Sequence, residues 1–260
     1  MAAAPSPPPL IRAVLIGVTG RMGQALMRAA PHFSGLLITG AIAAPASLAL
    51  GRDAGELAGL GRTNLTISAD LAAALAQADV ALDFSSAAAA AAHLAACRAA
   101  RRPLLLGTTG LDAALGAQLD AAARDIALLI APNTSLAVAL LTELAERAAR
   151  ALGEYDADIL ELHHRSKRDA PSGTALALAQ ALRRGRGSDA EIPIASVRAG
   201  DLVGEHTVLL SGPGEQLSLA HRAYDRGIFA RGALTAALWL ASRPPGRYAM
   251  RDFLAYKTGA

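Results

Sequence analysis

The feature that most restricts the fold is an alternation. Short Val/Ile/Leu runs recur along the first half of the chain, each followed by a segment of helical length and composition. Leu10 to Gly17, Leu36 to Ile42, Ala78 to Phe84, Pro103 to Leu106 and Ile126 to Ile130 read as strands. Arg21 to Ala30, Ala87 to Ala100 and Asp112 to Arg124 read as helices. Unbroken apolar strands are covered on both faces, and strands that alternate with helices build a doubly wound, parallel α/β sheet of the Rossmann type. The rhythm changes after Asn133. A helix over 136–151, a strand over 158–164 and a helix over 172–184 precede three β-like pieces at 194–197, 206–210 and 216–220, with turns at 199–201 and 211–214. This predicts a second, α+β domain with a mixed or antiparallel sheet, and a final helix over 228–240 that returns to the first domain. The expected division is a disordered tail over 1–9, a first domain over 10–134 and 226–260, and a second over 135–225.

Composition limits the function classes. Of 260 residues, 53% are hydrophobic and 3% aromatic, so a large core must be built from Ala, Leu, Val and Ile. The net charge of +3 comes from scattered basic residues. The densest runs, Arg165-Ser166-Lys167-Arg168 and Arg183-Arg184-Gly185-Arg186, have no interleaved aromatics and suit a local anion better than nucleic acid. The uncharged stretch 29–51 is broken by Pro31, Gly35, Gly40 and Pro45, which argues against a membrane span. Residues 1–9 lack the basic start and apolar run of a signal peptide, so a cytoplasmic protein is expected. Cys97, the one cysteine, lies in an Ala-rich helix and reads as a buried, inert thiol.

Gly17-Val18-Thr19-Gly20-Arg21-Met22-Gly23 joins the first strand to the first helix. Glycines there permit a tight turn, backbone approach to a pyrophosphate and close helix–strand packing, while the helix start offers N–H groups to phosphate. The turn predicts a dinucleotide. A carboxylate near the end of the second strand would hold the ribose 2′-hydroxyl of NAD. Here that strand ends Gly40-Ala41-Ile42-Ala43-Ala44-Pro45, and no acid occurs before Asp53, whereas Arg12, Arg21, Arg28 and Arg52 do. With Arg21 or Arg52 available to a 2′-phosphate, NADPH is expected to serve at least as well as NADH.

The densest polar stretch, Glu161 to Thr174, falls where a strand hands over to a helix. Its two histidines, lysine and arginines form a cationic pocket for a small anion, and the helix opening at Ser172 adds N–H groups suited to a carboxylate. Lys167 and Lys257 are the only lysines among 25 basic residues. Arginine cannot donate a proton near neutral pH, whereas a lysine among cations can, which marks Lys167 as a candidate general acid. His163 and His164, adjacent on a strand, should face opposite ways and differ in role. No metal is expected, because neither a cysteine nor a third histidine is near in sequence.

These segments resemble the dihydrodipicolinate reductases. Gly17 to Gly23 is similar to their G-x-x-G-R-M-G turn, Gly107-Thr108-Thr109-Gly110 to their G-T-T-G segment, and Glu161 to Ala175 to their H-H-x-x-K-x-D-A-P-S-G-T-A string. Further likeness runs through 197–206 and 229–240, so it spans nearly the whole chain beyond the Pro-rich start. The resemblance implies a Rossmann domain, a smaller domain that binds substrate and builds an oligomer, usually a homotetramer, and NADPH- or NADH-dependent reduction of 4-hydroxy-tetrahydrodipicolinate with loss of water. It implies nucleotide contacts from Gly17, Val18, Thr19, Gly20, Arg21, Met22, Gly107, Thr108, Thr109, Ala131, Pro132, Asn133 and Thr134. It makes His163 the proton donor/acceptor and Lys167 a proton donor, with His164, Gly173 and Thr174 anchoring a small dicarboxylate. Many family members carry an acid where Ala44 stands here. The competing readings are an aldehyde- or amino-acid-type dehydrogenase, the former requiring a catalytic Cys97, and a nucleotide-binding module without chemistry.

Overall fold

A computed structural model of the chain describes residues 10–112 and 114–259; the tail over 1–9 lies outside the described residues. The described chain divides into two compact units, 10–134 with 229–253, and 135–228 with 254–259. The segment expected as 226–260 is thus itself divided, with its last residues grouped with the second unit.

The first unit is built on a seven-stranded sheet among the described residues. Its strands are β1 (Ile11–Ile16), β2 (Leu36–Ile42), β3 (Ile67–Ser68), β4 (Val80–Asp83), β5 (Leu104–Leu106), β6 (Ala127–Ile130) and, late in the chain, β11 (Gly246–Tyr248). The order is β11-β6-β5-β4-β1-β2-β3, with every neighbouring pair parallel. The central strands lose all contact with water: Val14, Leu15, Val80, Leu82, Leu104, Leu105 and Leu128 are completely buried. Each such side chain stabilises the fold by about 1.5–3 kcal/mol. The crossovers use α1 (Arg21–Ala29), α2 (Ala54–Ala58), α3 (Leu71–Ala76), α4 (Ala87–Ala99) and α5 (Leu115–Ala122). One core cluster joins Val14, Ile16, Leu75, Leu94, Cys97, Leu104 and Leu128.

The second unit holds α6 (Leu136–Ala151), β7 (Asp156–His163), α7 (Gly173–Arg186), β8 (Ile194–Arg198), β9 (Gly204–Gly212) and β10 (Glu215–Ala223). Its sheet runs β10-β9-β7-β8, with the β7–β8 pair parallel and the others antiparallel, so it is mixed. One face packs on α6 and α7 through Leu141, Ala145, Ile159, Leu178, Leu182, Val208 and Leu210. The turn expected over 211–214 narrows to Pro213-Gly214, because Ser211 and Gly212 pair with Gln216 and Glu215. Helix α8 (Gly227–Leu240) carries the chain back, and from Phe229 it counts with the first unit. It is not the last helix: α9 (Met250–Thr258) follows β11. No described helix is long and apolar enough to cross a membrane.

Candidate active site

Strand order reverses at β1, whose neighbours are β2 and β4. In open α/β sheets such a switch point leaves a crevice outside the carboxyl ends of the strands. The glycine turn lies there. Gly17 sits at φ +86°, and a Cβ on it would come within 2.8 Å of the Phe84 carbonyl oxygen, so only glycine fits. A Cβ on Gly23 would lie 2.3 Å from the Gly17 oxygen, which fixes how closely α1 approaches the turn. Gly20 caps α1 with no side-chain bond, and no acid stands in the first turn. The first N–H groups of a helix have no intrahelical partner, and here no acid of the first turn competes for them. Val18 is buried, Thr19 and Met22 are partly exposed, and Arg21 is exposed.

The loop after β4 meets this turn at Phe84 and Ser85, and the loops after β5 and β6 follow along the same edge of the sheet. Phe84 connects two of them, since a Cβ on Gly107 would strike its ring at 2.1 Å. Thr108 is buried and Thr109 exposed. Ala131 donates its N–H to the Leu106 oxygen, and the Thr134 hydroxyl donates to the Phe229 carbonyl at 2.6 Å. Pro132 is exposed and Asn133 partly so. Sequence reasoning missed the group beneath these loops. Asp83, completely buried at the end of β4, accepts from the Ser85 N–H and hydroxyl at 2.9 and 2.6 Å and from the Thr108 hydroxyl at 3.4 Å. Its other oxygen lies 2.9 Å from His93 Nδ1. An acid closing an apolar strand was the available signal.

At the end of β2, Ala44 is exposed. Asp53, the first acid to follow, is committed elsewhere: it accepts from the N–H groups of Glu56, Thr63 and Leu65 and from the Thr63 hydroxyl. Desolvation pushes its carboxyl up, but these donors outweigh that and hold it at about 2.

The second unit gathers the other sequence-marked residues. His163 ends β7 and is buried, and His164, just beyond the strand, is half-exposed and bonds the Ser166 hydroxyl through Nδ1 at 2.8 Å. The two histidines thus occupy different environments. Lys167 Nζ lies 2.8 Å from both Asp169 oxygens, so its nearest partner is an anion and not the cations expected around it. Ser172 caps α7 by accepting from the Ala175 N–H, which places Gly173 and Thr174 in the first turn. Below them lies a buried network that the sequence did not reveal. Glu161 Oε2 bonds His163 Nδ1, and Oε1 accepts from Arg198 at 2.7 Å and from the Ser172 N–H at 3.3 Å. The Ser172 hydroxyl meets His206 Nε2 at 2.9 Å, and the His206 ring stands edge-on to that of His163 at 5.0 Å. Burial drives His206 down to about 4 and lowers His163, whereas Glu161, pushed up by burial, is lowered on balance by Arg198, Ser196 and His163.

Two profiles cover the chain. "Dihydrodipicolinate reductase, N-terminus" matches residues 11–134, and "Dihydrodipicolinate reductase, C-terminus" matches residues 137–254. The chain belongs to the dihydrodipicolinate reductase family. The 4-hydroxy-tetrahydrodipicolinate reductase of Alkalilimnicola ehrlichii is 48% identical, with 94% of this chain and 98% of that protein covered. The enzyme of the same name from Anaeromyxobacter dehalogenans is 42% identical, over 96% and 100%. In fold, the dipicolinate-bound dihydrodipicolinate reductase of Paenisporosarcina sp. TG-14 superposes with a TM-score of 0.77 at 24% identity, covering 94% of this chain and 99% of that one. As a family member, the chain is an NAD(P)H-dependent oxidoreductase that reduces 4-hydroxy-tetrahydrodipicolinate in diaminopimelate and lysine biosynthesis.

The glycine turn fits the nucleotide this family uses, because the positions a Cβ would block are glycines and the helix start carries no competing acid. Glu161, His163 and His206 each bring one donor atom within 4.8 Å of the others, a spacing a metal ion could use. The Arg198 guanidinium already neutralises that carboxylate at 2.7 Å, so the charge set favours proton handling over a divalent cation. Cys97 is completely buried and its thiol is pushed up to about 12 by burial and by Asp83, which removes the nucleophile an aldehyde-type dehydrogenase needs.

Proposed function

We propose that the first unit binds the dinucleotide through Gly17 to Met22, Gly107 to Thr109 and Ala131 to Thr134, and that the second unit binds and protonates the substrate. The observation that carries this reading is the second unit's arrangement. Within one short strand-to-helix connection stand a buried histidine held by a carboxylate, an ammonium held by Asp169, and a helix start capped by Ser172. The reduced nicotinamide, when bound, supplies the hydride. His164, Gly173 and Thr174 anchor the substrate carboxylates, where α7's first-turn N–H groups and positive end favour anions. Departure of the 4-hydroxyl as water leaves a conjugated ring with an electron-poor carbon, and hydride addition there gives an enamine that needs a proton. Lys167 donates that proton from Nζ, with Asp169 holding the ammonium in place until then. His163 exchanges a proton through Nε2, because Nδ1 is engaged by Glu161. A relative's dipicolinate-bound structure is in keeping with a ring dicarboxylate as the ligand.

Nucleotide choice follows from the end of β2. Ala44 puts no carboxylate at the end of β2, Asp53 spends its oxygens on its own turn, and the exposed Arg21 and Arg52 can pair with a 2′-phosphate. Steady-state kinetics are expected to give a kcat/KM for NADPH equal to or above that for NADH. A strong NADH preference would contradict this reading. The working enzyme is proposed to be a cytoplasmic homotetramer. Association, the coarser part of this, is supported by the sheet face turned away from α6 and α7, which presents half-exposed Leu160, Leu162 and Leu209 beside Val197.

A further inference from the structure

Glu161 is completely buried, and the reaction assigned above uses it only through its bond to His163 Nδ1. Strand alternation puts Glu161 and His163 on one face of β7. The β7–β8 register sets Ser196 opposite Glu161 and Arg198 opposite His163, and the β7–β9 register sets His206 opposite Glu161. Three strands and the cap of α7 therefore converge on one carboxylate, and its two oxygens divide the work. Oε2 meets His163 Nδ1, while Oε1 takes the Arg198 guanidinium and the Ser172 N–H. Arg198 also donates to the Asp169 carbonyl at 2.6 Å, which pins the guanidinium in place. An ionised carboxylate can only accept hydrogen bonds. The proton in the Glu161–His163 bond therefore sits on Nδ1, and Nε2 is left as the nitrogen that can gain or lose one. A Cβ on Gly204 would lie 3.0 Å from Nε2, so glycine at the start of β9 keeps a side chain off that atom.

We infer that Glu161 is the positioning residue for His163: braced by Arg198, it fixes the Nδ1–H tautomer and reserves Nε2 for proton exchange with the substrate. This rests on the reading that His163 handles a proton in the reaction. The charged and titratable groups facing His163 are Glu161 on its own strand, Arg198 from β8, His206 from β9 and Lys167 from the loop after β7, with His221 of β10 acting on His206. Burial and the cations push His163 down, and Glu161 alone pulls it up. Removal of the carboxylate charge must therefore move the titration of His163 to lower pH.

The test is nitrogen NMR of the full-length protein labelled at histidine, together with pH–rate profiles of the wild type, Glu161→Gln and Glu161→Asp. Wild-type His163 is expected as the Nδ1–H tautomer through neutral pH. In Glu161→Gln the tautomers should mix and the titration should fall by about one pH unit or more. The limb of the rate profile that His163→Ala abolishes should move the same way. kcat should fall on the order of 10²-fold with substrate KM little changed, and Glu161→Asp should recover part of the loss. An Nε2–H tautomer in the wild type overturns the inference with no variant needed. So does a Glu161→Gln protein that keeps both the wild-type tautomer and the wild-type pH profile. If the wild type shows the expected tautomer but no turnover, the functional reading fails while the positioning by Glu161 stands.

Discussion

Lys167 has Asp169 as its closest partner, at 2.8 Å from both oxygens, with a fifth of its side chain exposed. An ammonium held this way is aimed, and releasing its proton to substrate leaves a neutral amine beside a carboxylate. Asp169→Asn should therefore lower kcat by on the order of 10-fold and less than Lys167→Ala, for which on the order of 10²–10⁴-fold is expected. Stopped-flow oxidation of NADPH under single-turnover conditions separates the two effects. Gly17→Ala belongs to the same scale. At φ +86° with Phe84 oxygen 2.8 Å from the new methyl, the turn must shift, and nucleotide affinity measured by fluorescence titration should fall at least 10-fold or so while substrate binding is retained.

Among the elements, α7 couples fold to site most directly. Its cap, Ser172, accepts from the Ala175 N–H and meets the buried His206 Nε2 with the same hydroxyl. Ser172→Ala should cost about 1–2 kcal/mol in urea unfolding for the cap, and more for the stranded imidazole. A cost below half a kcal/mol or so would show that the hydroxyl is not shared in this way. The helix was legible in the sequence because Pro171-Ser172-Gly173 opens an Ala/Leu run. The buried parallel strands were equally legible, since apolar runs ending in turn residues leave little choice of period. α2, β3 and α3 were not, because five-, two- and six-residue elements carry too little periodicity. Their signals were local instead, in Asp53 and Asp70, whose carboxylates cap the two helices through Glu56 and Ala73. Sequence spacing placed His163, Lys167 and the glycine turn, but not Arg198 and His206, which meet Glu161 only through strand register. Asp83 likewise meets His93 and Thr108 through the fold, though its position closing an apolar strand marked it.

For the molecule as a whole, buried neutral histidines set the response to acid. His206 titrates at about 4 when folded against 6.5 as its ordinary value, so the unfolded chain binds the proton more readily. Its contribution to stability is complete above about pH 6.5 and is lost as pH falls toward about 4, amounting to about 3 kcal/mol at most. His163 and His221 are lowered too and act with the same sign. Urea midpoints should fall steadily between neutral pH and about 4.5, and His206→Gln should flatten that slope; an unchanged slope would remove His206 from the account. Sedimentation should find a tetramer, which Leu160→Glu together with Leu209→Glu breaks into smaller species if the open sheet face forms the interface. The central claim, that this chain reduces its substrate with protons handled by the second unit, is tested most directly by turnover. NADPH and NADH oxidation would be followed with freshly generated 4-hydroxy-tetrahydrodipicolinate for wild type, Lys167→Ala and His163→Ala. Turnover by the wild type, with a large loss in the Lys167 variant and retained nucleotide binding, is the expected result. Tight nucleotide binding without wild-type turnover, or a Lys167→Ala enzyme as fast as the wild type, would contradict it.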